Sequence, residues 1–128
     1  MGCIYAGFDY KNRVNGYFKI GETGKKTPAQ RLQTIRQNDC FQCLKWLQMF
    51  DDTRSERLFV ESFVRMKMSR LEGLEHTQND HFLYRIISKE EKYSQAQEFA
   101  EKAIEFAIQA CEMAGIKYQI GKRIYKRG

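Results

Sequence analysis

Residues 2 to 9 read Gly-Cys-Ile-Tyr-Ala-Gly-Phe-Asp, and residues 14 to 21 read Val-Asn-Gly-Tyr-Phe-Lys-Ile-Gly. Both stretches are rich in apolar and aromatic residues, which favour β-strands. The polar segment Lys11-Asn12-Arg13 between them is typical of a turn. Two strands joined by a short turn pair antiparallel, so the sequence predicts a hairpin at the start of the chain.

The next predicted element is a helix that begins near Thr27. Thr27 offers an N-cap hydroxyl, Pro28 suits the first helical position, and Gln30 stands three residues after the cap. This is the pattern of a capping box. The helix is expected to run to about Gln37 and to carry Arg31 in its early turns.

A third strand is expected over residues 41 to 50, which read Phe-Gln-Cys-Leu-Lys-Trp-Leu-Gln-Met-Phe. A helix from Thr53 to about Leu71 should follow and hold Glu56 in its first turn or two. This helix is expected because apolar residues recur at helical spacing. They are Leu58, Phe59, Val60, Phe63 and Met66.

Beyond this helix we expect a loop that includes Gly73 and residues 75 to 80, then a short strand over residues 81 to 87. Ser88 and Glu91 form a second capping box that opens a long helix, and Gly115 is suited to end it. The residues from 117 to 128 either add a strand or stay loose. The apolar stripe of the long helix is expected to be core, and it comprises Ala96, Phe99, Ala100, Ala103, Ala107, Ala110 and Ala114.

These elements predict an α/β protein of the α+β type, with a small three-stranded antiparallel sheet flanked by helices and an added long C-terminal helix. A length of 128 residues fits one domain. We expect residues 1 to 87 to form the core of this domain, and residues 88 to 128 to pack on it as a helix and basic tail. The chain has no apolar run of about 20 residues and no leader pattern, which predicts a cytoplasmic protein without a membrane partner.

The charge of the chain is concentrated at its two ends. The net charge is +6, made up of +5 over residues 1 to 50, −3 over residues 51 to 110 and +4 over residues 111 to 128. A basic surface of this kind suits a polyanion, because phosphate contacts release condensed counterions. A merely solvated basic surface is the alternative interpretation.

Four side chains have the chemistry needed to hydrolyse a phosphodiester. Such a reaction needs a base for water, neutralisation of charge on the phosphoryl oxygens and an anchor for a cation. Tyr5 could act as the base if Lys19 on the adjacent strand stabilises the phenolate. Arg31 could bind a phosphate through two parallel hydrogen bonds. Glu56 could hold a magnesium ion that keeps most of its waters.

Each of these residues also has a purely structural interpretation. Tyr5 could be a core aromatic and Lys19 an outward strand lysine. Arg31 could form a surface ion pair, and Glu56 could favour the positive end of a helix dipole.

A zinc site is a further alternative. It would use Cys40 and Cys43 with His76 and His81. The wide spacing between these pairs favours reduced structural cysteines instead, and Cys3 and Cys111 are likewise expected to be buried thiols.

The order of short motifs resembles a known family. Cys3-Ile4-Tyr5, Lys19-Ile20-Gly21, Thr23, Arg31-Leu32 and Glu56 follow one another along the chain. Over residues 2 to 87 this order is similar to the GIY-YIG nuclease superfamily. It is most similar to the phage-associated branch named after a bacteriophage T5 open reading frame, in which Lys-Ile-Gly replaces Tyr-Ile-Gly.

The resemblance implies a divalent-metal-dependent endonuclease that hydrolyses DNA with an activated water. In it Tyr5 and Lys19 serve the water, Arg31 serves the scissile phosphate, and Glu56 binds Mg²⁺ or Mn²⁺. We expect DNA as the partner, with RNA left open, and a monomer or homodimer. The residues expected to contact nucleic acid are Tyr17, Lys25, Lys26, Arg36, Lys122 and Arg123.

The same resemblance suggests a second function. The branch usually places a histidine four residues after the metal-binding glutamate, where this chain has Val60. The alternative is therefore a GIY-YIG-like module that binds nucleic acid without cleaving it.

Overall fold

The computed structural model of the protein describes residues 1–9, 15–29, 41–78, 81–85, 88, 90–121 and 125–126. The strands are β1 (Gly2–Asp9), β2 (Asn15–Thr23), β3 (Phe41–Phe50), β4 (Leu74–Gln78), β5 (His81–Arg85), β6 (Lys117–Ile120) and β7 (Tyr125–Lys126). Two longer helices are described, α1 (Arg54–Met68) and α2 (Lys92–Ala114). The helix expected from Thr27 to about Gln37 lies, apart from its start, outside the described residues.

All seven strands form one antiparallel sheet in the order β4-β5-β2-β1-β3-β6, with β7 also paired to β3. The α+β class is confirmed. The expected three-stranded sheet is too small, because β1, β2 and β3 form only its centre. The outer strands β4 and β6 are short and mostly exposed, as is common at sheet edges. Such strands carry few apolar residues. For this reason the sequence predicted a loop over residues 75 to 80, where the structure has most of β4.

The alternation of side chains along β3 changes at one point. Ala6 of β1 pairs with Lys45 and Gly7 pairs with Cys43, so Leu44 has no register partner. This is a β-bulge, in which one strand carries an extra residue. The bulge explains why the apolar pattern of residues 41 to 50 alternates imperfectly in the sequence.

The sheet separates two apolar clusters. Ile4, Ala6 and Phe8 of β1 point to the main core, which also holds buried residues of α1 and α2. The neighbouring residues Cys3 and Tyr5 belong to a second cluster with Phe41, Cys43 and Trp46. Since successive side chains of a strand point to opposite faces, both helices pack on one face of the sheet and Tyr5 lies on the other.

The long helix α2 packs as expected along most of its length. Its alanine stripe from Ala96 to Ala110 is buried, and Gly115 ends it in the left-handed conformation with φ 69°. Ala114, by contrast, is exposed. The helix also begins later than expected, since Ser88 Oγ accepts the Glu91 N–H at 3.2 Å in a turn that precedes it.

The apolar residues that predicted α1 are only partly buried. Val60, Val64 and Met68 are fully buried, whereas Leu58, Phe59 and Met66 are exposed. Both sets have helical spacing, so the sequence pattern alone could not distinguish them. No helix in the described part of the chain is long and apolar enough to cross a membrane.

Candidate functional site

Tyr5 and Gly21 face each other across the first hairpin. They are register partners in the β1–β2 pair, and a Cβ atom at position 21 would overlap the hydroxyl and ring of Tyr5. The phenol therefore lies across Gly21, where only a glycine leaves room. The Tyr5 ring also meets Phe41 edge-on, with centroids 6.2 Å apart. Tyr5 is 1% exposed, so its ring is held by packing and has little contact with bulk water.

Lys19 lies close to Tyr5 on the same face of the sheet. Lys19 pairs with Gly7 and stands two positions before Gly21 on β2. It is therefore a diagonal neighbour of Tyr5, at a typical Cα separation of about 7 Å. Lys19 and Tyr17 share this face, and both are half-buried. The structure thus brings together Tyr5, Lys19 and Tyr17 on the face opposite the helices.

Glu56 occupies the third position of α1 and takes part in a capping box. The Thr53 N–H donates to Glu56 Oε1 at 2.8 Å, and the Glu56 N–H donates to Thr53 Oγ1 at 3.1 Å. This reciprocal pair satisfies backbone groups that would otherwise lack partners at the helix start. Glu56 therefore has a structural task of its own, in addition to any role in binding a metal.

The first turn of α1 lies at one end of the sheet. Arg57, the residue after Glu56, packs against Gly2 at the start of β1 and against Gly24 just after β2. Tyr5 and Lys19 lie on the sheet face that α1 does not cover. A site that uses Glu56 together with these two residues must therefore be built around this end of the sheet.

A buried ion cluster holds the sheet end together. Arg57 Nη1 donates to Asp52 Oδ2 at 2.7 Å, and Arg57 Nε donates to Glu22 Oε2 at 3.3 Å. Asp52 also accepts the Gly2 N–H on Oδ1 at 3.1 Å. The side chain of Asp52 is 0% exposed. The cluster joins β1, β2, the turn after β3 and α1.

The ionisation of this cluster follows from its contacts. Burial opposes ionisation of Asp52, but the hydrogen bonds from Arg57 and from backbone N–H groups outweigh it, so the pKa of Asp52 lies below its usual value. The hydrogen bond to Asp52 in turn raises the pKa of Arg57. Both groups therefore stay charged near neutral pH.

Sequence reasoning did not identify this cluster. Arg57 and Glu22 are separated by 35 positions, and no local periodicity links such residues. One signal was present, because Asp52 directly precedes the Thr53 cap and lies one turn before Arg57.

The loop after β2 places two lysines at the same end of the sheet. Lys25 and Lys26 are exposed. Two hydrogen bonds hold the loop in place. The Lys25 N–H donates to Thr23 Oγ1 at 3.2 Å, and Gln48 Nε2 donates to the Lys26 carbonyl at 3.3 Å. Both ammonium groups are thus accessible to an anion beside the first turn of α1.

Four predicted site residues lie outside the described residues. They are Arg31, Arg36, Lys122 and Arg123. The assignment of Arg31 to the phosphate and of the other three to nucleic acid therefore stays a prediction.

The Glu56 carboxylate is the candidate ligand for a divalent metal. The described residues contain no group of three or more His, Cys, Asp or Glu side chains arranged for a metal. Mg²⁺ usually keeps several waters and takes one or two carboxylates together with substrate phosphates. Glu56 is partly exposed, and in the described part of the chain only its Oε1 accepts a hydrogen bond. The residue fits a single-carboxylate site, and an all-protein cage is not formed by the described residues.

The described cysteines behave as structural thiols. Cys3, Cys43 and Cys111 are buried and free, as expected for the first and the last. Burial raises the pKa of Cys3 to about 12 and that of Cys111 to about 11, and it also raises the pKa of Cys43. Cys40, the other half of the candidate zinc pair, lies outside the described residues.

Comparison of the chain with protein-family models, with curated proteins and with solved structures finds no match.

Proposed function

We propose that the protein is a divalent-metal-dependent endonuclease that hydrolyses phosphodiester bonds in DNA, in the manner of the GIY-YIG nucleases that its motifs resemble. One observation carries the proposal. Tyr5 and Lys19 are diagonal neighbours on one face, and Gly21 is the residue that accommodates the Tyr5 phenol. The three motif residues therefore lie together in space as well as following one another in sequence.

The roles of the side chains follow from the chemistry of phosphodiester hydrolysis. An attacking water must lose a proton, and negative charge on the phosphoryl oxygens must be offset. Lys19 is the more accessible of the pair and would stabilise Tyr5 as a phenolate, and this phenolate would take the proton of the attacking water. Arg31 is assigned to the scissile phosphate, as the resemblance implies.

Glu56 would hold the Mg²⁺ or Mn²⁺ ion at the sheet end. When bound, the ion neutralises charge on the phosphate and on the leaving oxygen. Support for this assignment comes from the position of Glu56 in the first turn of α1, where the next residue, Arg57, lies against Gly24 at the start of the exposed loop of Lys25 and Lys26.

The loop lysines and the basic ends of the chain favour DNA as the polyanion. The net charge of +6 gives long-range attraction, and Lys25 and Lys26 provide exposed ammonium groups in the loop after β2. Phosphate contacts of this kind weaken steeply as salt rises. RNA offers the same backbone charge, and cleavage of matched DNA and RNA substrates distinguishes the two.

A second function is favoured by two observations. Glu56 is already engaged in the capping box. Val60 stands where the branch that the motifs resemble usually has a histidine, and it is fully buried in the core. Both would be expected if the protein binds nucleic acid without cleaving it.

Glu56→Gln separates the two functions. A glutamine at this position preserves the capping box, since Gln serves as well as Glu there, but it loses the carboxylate that a hard cation needs. Labelled DNA and RNA would be incubated with Mg²⁺ or Mn²⁺ and with wild type, Glu56→Gln, Glu56→Ala or Lys19→Met. Thermal unfolding would be measured on the same samples.

The nuclease proposal expects cleavage by wild type, none by Glu56→Gln, and unchanged stability for that variant. Glu56→Ala should in addition lose about 1 kcal/mol of stability with the cap. Cleavage retained by Glu56→Gln would refute the metal role of this residue. Salt-sensitive DNA binding by a wild type that never cuts would establish the binding module instead.

A further inference from the structure

The Arg57 side chain connects the first turn of α1 to the strand carrying Lys19 and Gly21. Its guanidinium meets Asp52 at 2.7 Å and Glu22 at 3.3 Å through different nitrogen atoms. Glu22 is the residue directly after Gly21 on β2. The pair Arg57–Glu22 is thus a direct tie between the helix of Glu56 and the strand of the Tyr5 site.

The aliphatic part of the Arg57 side chain, its stem, is held as firmly as its guanidinium group. A Cβ at Gly2 would overlap the Arg57 Cδ, the Thr23 carbonyl and the Asp52 carboxylate, so the stem crosses β1 where a glycine leaves space. The Arg57 side chain is only 14% exposed. Packing and hydrogen bonding together leave this side chain a single position.

Arg57 is linked to Glu56 through Thr53. The Arg57 N–H donates to the Thr53 carbonyl at 3.0 Å, and Thr53 in turn exchanges two hydrogen bonds with Glu56. Asp52, which binds the guanidinium, precedes Thr53 in the chain. These contacts form a closed ring that includes the Glu56 carboxylate.

We propose that Arg57 is a positioning residue that sets the place of the Glu56 carboxylate relative to β2, and with it the affinity for the divalent ion. The metal part of this inference depends on the proposed function. Groups that orient a metal ligand commonly change metal affinity when they are removed. An arginine is required because its planar fork serves two carboxylates at once, which a lysine ammonium on a flexible stem does less well.

The test needs a variant that folds. Removing Arg57 would leave the buried Asp52 charge unpaired, which is strongly destabilising. Glu22→Gln is milder, since Glu22 is 21% exposed and the Arg57–Asp52 pair survives. Arg57→Lys provides a second variant that keeps the charge. Glu101→Gln is the matched control, because it breaks the Lys45–Glu101 ion pair of 3.0 Å on α2, away from Glu56.

Two measurements would be made on each variant. Amide hydrogen exchange at residues 53 to 57 reports the order of the first turn of α1 without reference to activity. The affinity for Mn²⁺ reports the placement of Glu56. It is measured from the electron paramagnetic resonance signal of free Mn²⁺ and from the metal dependence of cleavage.

Glu22→Gln and Arg57→Lys should speed exchange in this segment and weaken Mn²⁺ binding about fivefold. Turnover at saturating Mn²⁺ should stay near wild type, and Glu101→Gln should change neither quantity. Unchanged exchange and affinity would overturn the proposal. So would lower turnover with unchanged Mn²⁺ affinity, because that is the result of a smaller folded fraction.

Failure of the proposed function gives a different result. Wild type would then neither bind Mn²⁺ nor cut, while exchange at residues 53 to 57 would still show whether Arg57 orders this turn. Faster exchange in Glu22→Gln alone would keep the positioning role and remove its link to a metal.

Discussion

The phenol of Tyr5 lies across Gly21, its register partner on the neighbouring strand. Gly21→Ala places a methyl group where the hydroxyl and ring of Tyr5 now lie. Overpacking of this kind typically costs 1–3 kcal/mol, and we expect a loss of about 2 kcal/mol in the free energy of unfolding. Urea denaturation measures this loss.

Two comparisons make the result specific to this contact. Gly24→Ala is the control, because its Cβ would approach only the Arg57 guanidinium, at 3.2 Å, without overlapping it. In a Tyr5→Ala background the Gly21→Ala cost should fall sharply, since contacting residues are not additive. Equal costs in both backgrounds would mean that the Tyr5 ring is not what excludes a side chain at position 21.

The Asp52–Arg57 pair gives stability a defined dependence on pH. The pKa of Asp52 in the folded protein lies below its unfolded value. Its contribution is therefore fully present above the unfolded pKa of about 3.9 and is lost as pH falls through the folded pKa. Asp52→Asn should be less stable than wild type at pH 7, and this difference should shrink below about pH 4.

Urea denaturation of both proteins at pH 7, 5, 4 and 3 tests this sign. Glu101→Gln serves as the control, since the pair it breaks is exposed and the matching difference should be small at every pH. A gap between Asp52→Asn and wild type that stays constant down to pH 3 would contradict a lowered Asp52 pKa.

The buried thiols should be inert in the native protein. Burial raises the pKa of Cys3 to about 12 and that of Cys111 to about 11. Because the thiolate is the reactive form, alkylation of these residues at pH 8 should be very slow in native conditions and fast in urea. Peptide mass spectrometry after iodoacetamide treatment identifies each site.

The same raised values predict a loss of stability in alkali. Above the ordinary thiol pKa of about 8.5 the unfolded chain ionises while the folded one does not, which favours unfolding. Cys3→Ala should reduce this alkaline loss between about pH 9 and 11. Rapid alkylation of Cys3 in the native state would contradict its burial.

The first hairpin, β3 and α2 were predictable because their side chains are buried with a regular period. β3 was found with its observed bounds despite the bulge at Leu44. The edge strand β4 was missed, since a strand paired on one side carries few apolar residues and resembles a loop. Packing between distant elements, which local patterns do not contain, determined the size of the sheet.

The candidate site likewise contains features that the sequence could predict and one that it could not. The closeness of Tyr5 and Lys19 follows from the hairpin that the sequence predicted, although its register came from the structure. The capping role of Glu56 was also predictable, because Thr53 stands three residues before it. The sequence analysis instead gave Glu56 a structural role at the positive end of the helix dipole. The Arg57–Glu22 tie was not predictable, because it joins residues far apart in the chain.

The buried face of α1 provides the last prediction. Val64 is fully buried, whereas Leu58 is 39% exposed. Val64→Ala removes two buried carbons and should lower the free energy of unfolding by about 2 kcal/mol. Leu58→Ala removes three carbons but should cost less than about 1 kcal/mol.

This order is the reverse of what side-chain size alone predicts. Alanine is also the better helix former, by more over valine than over leucine, so propensity works against the expected difference. Urea denaturation of the two variants decides the matter. A larger loss for Leu58→Ala would place Leu58 inward, as the sequence pattern first suggested, and would rotate the first turn of α1 together with Glu56.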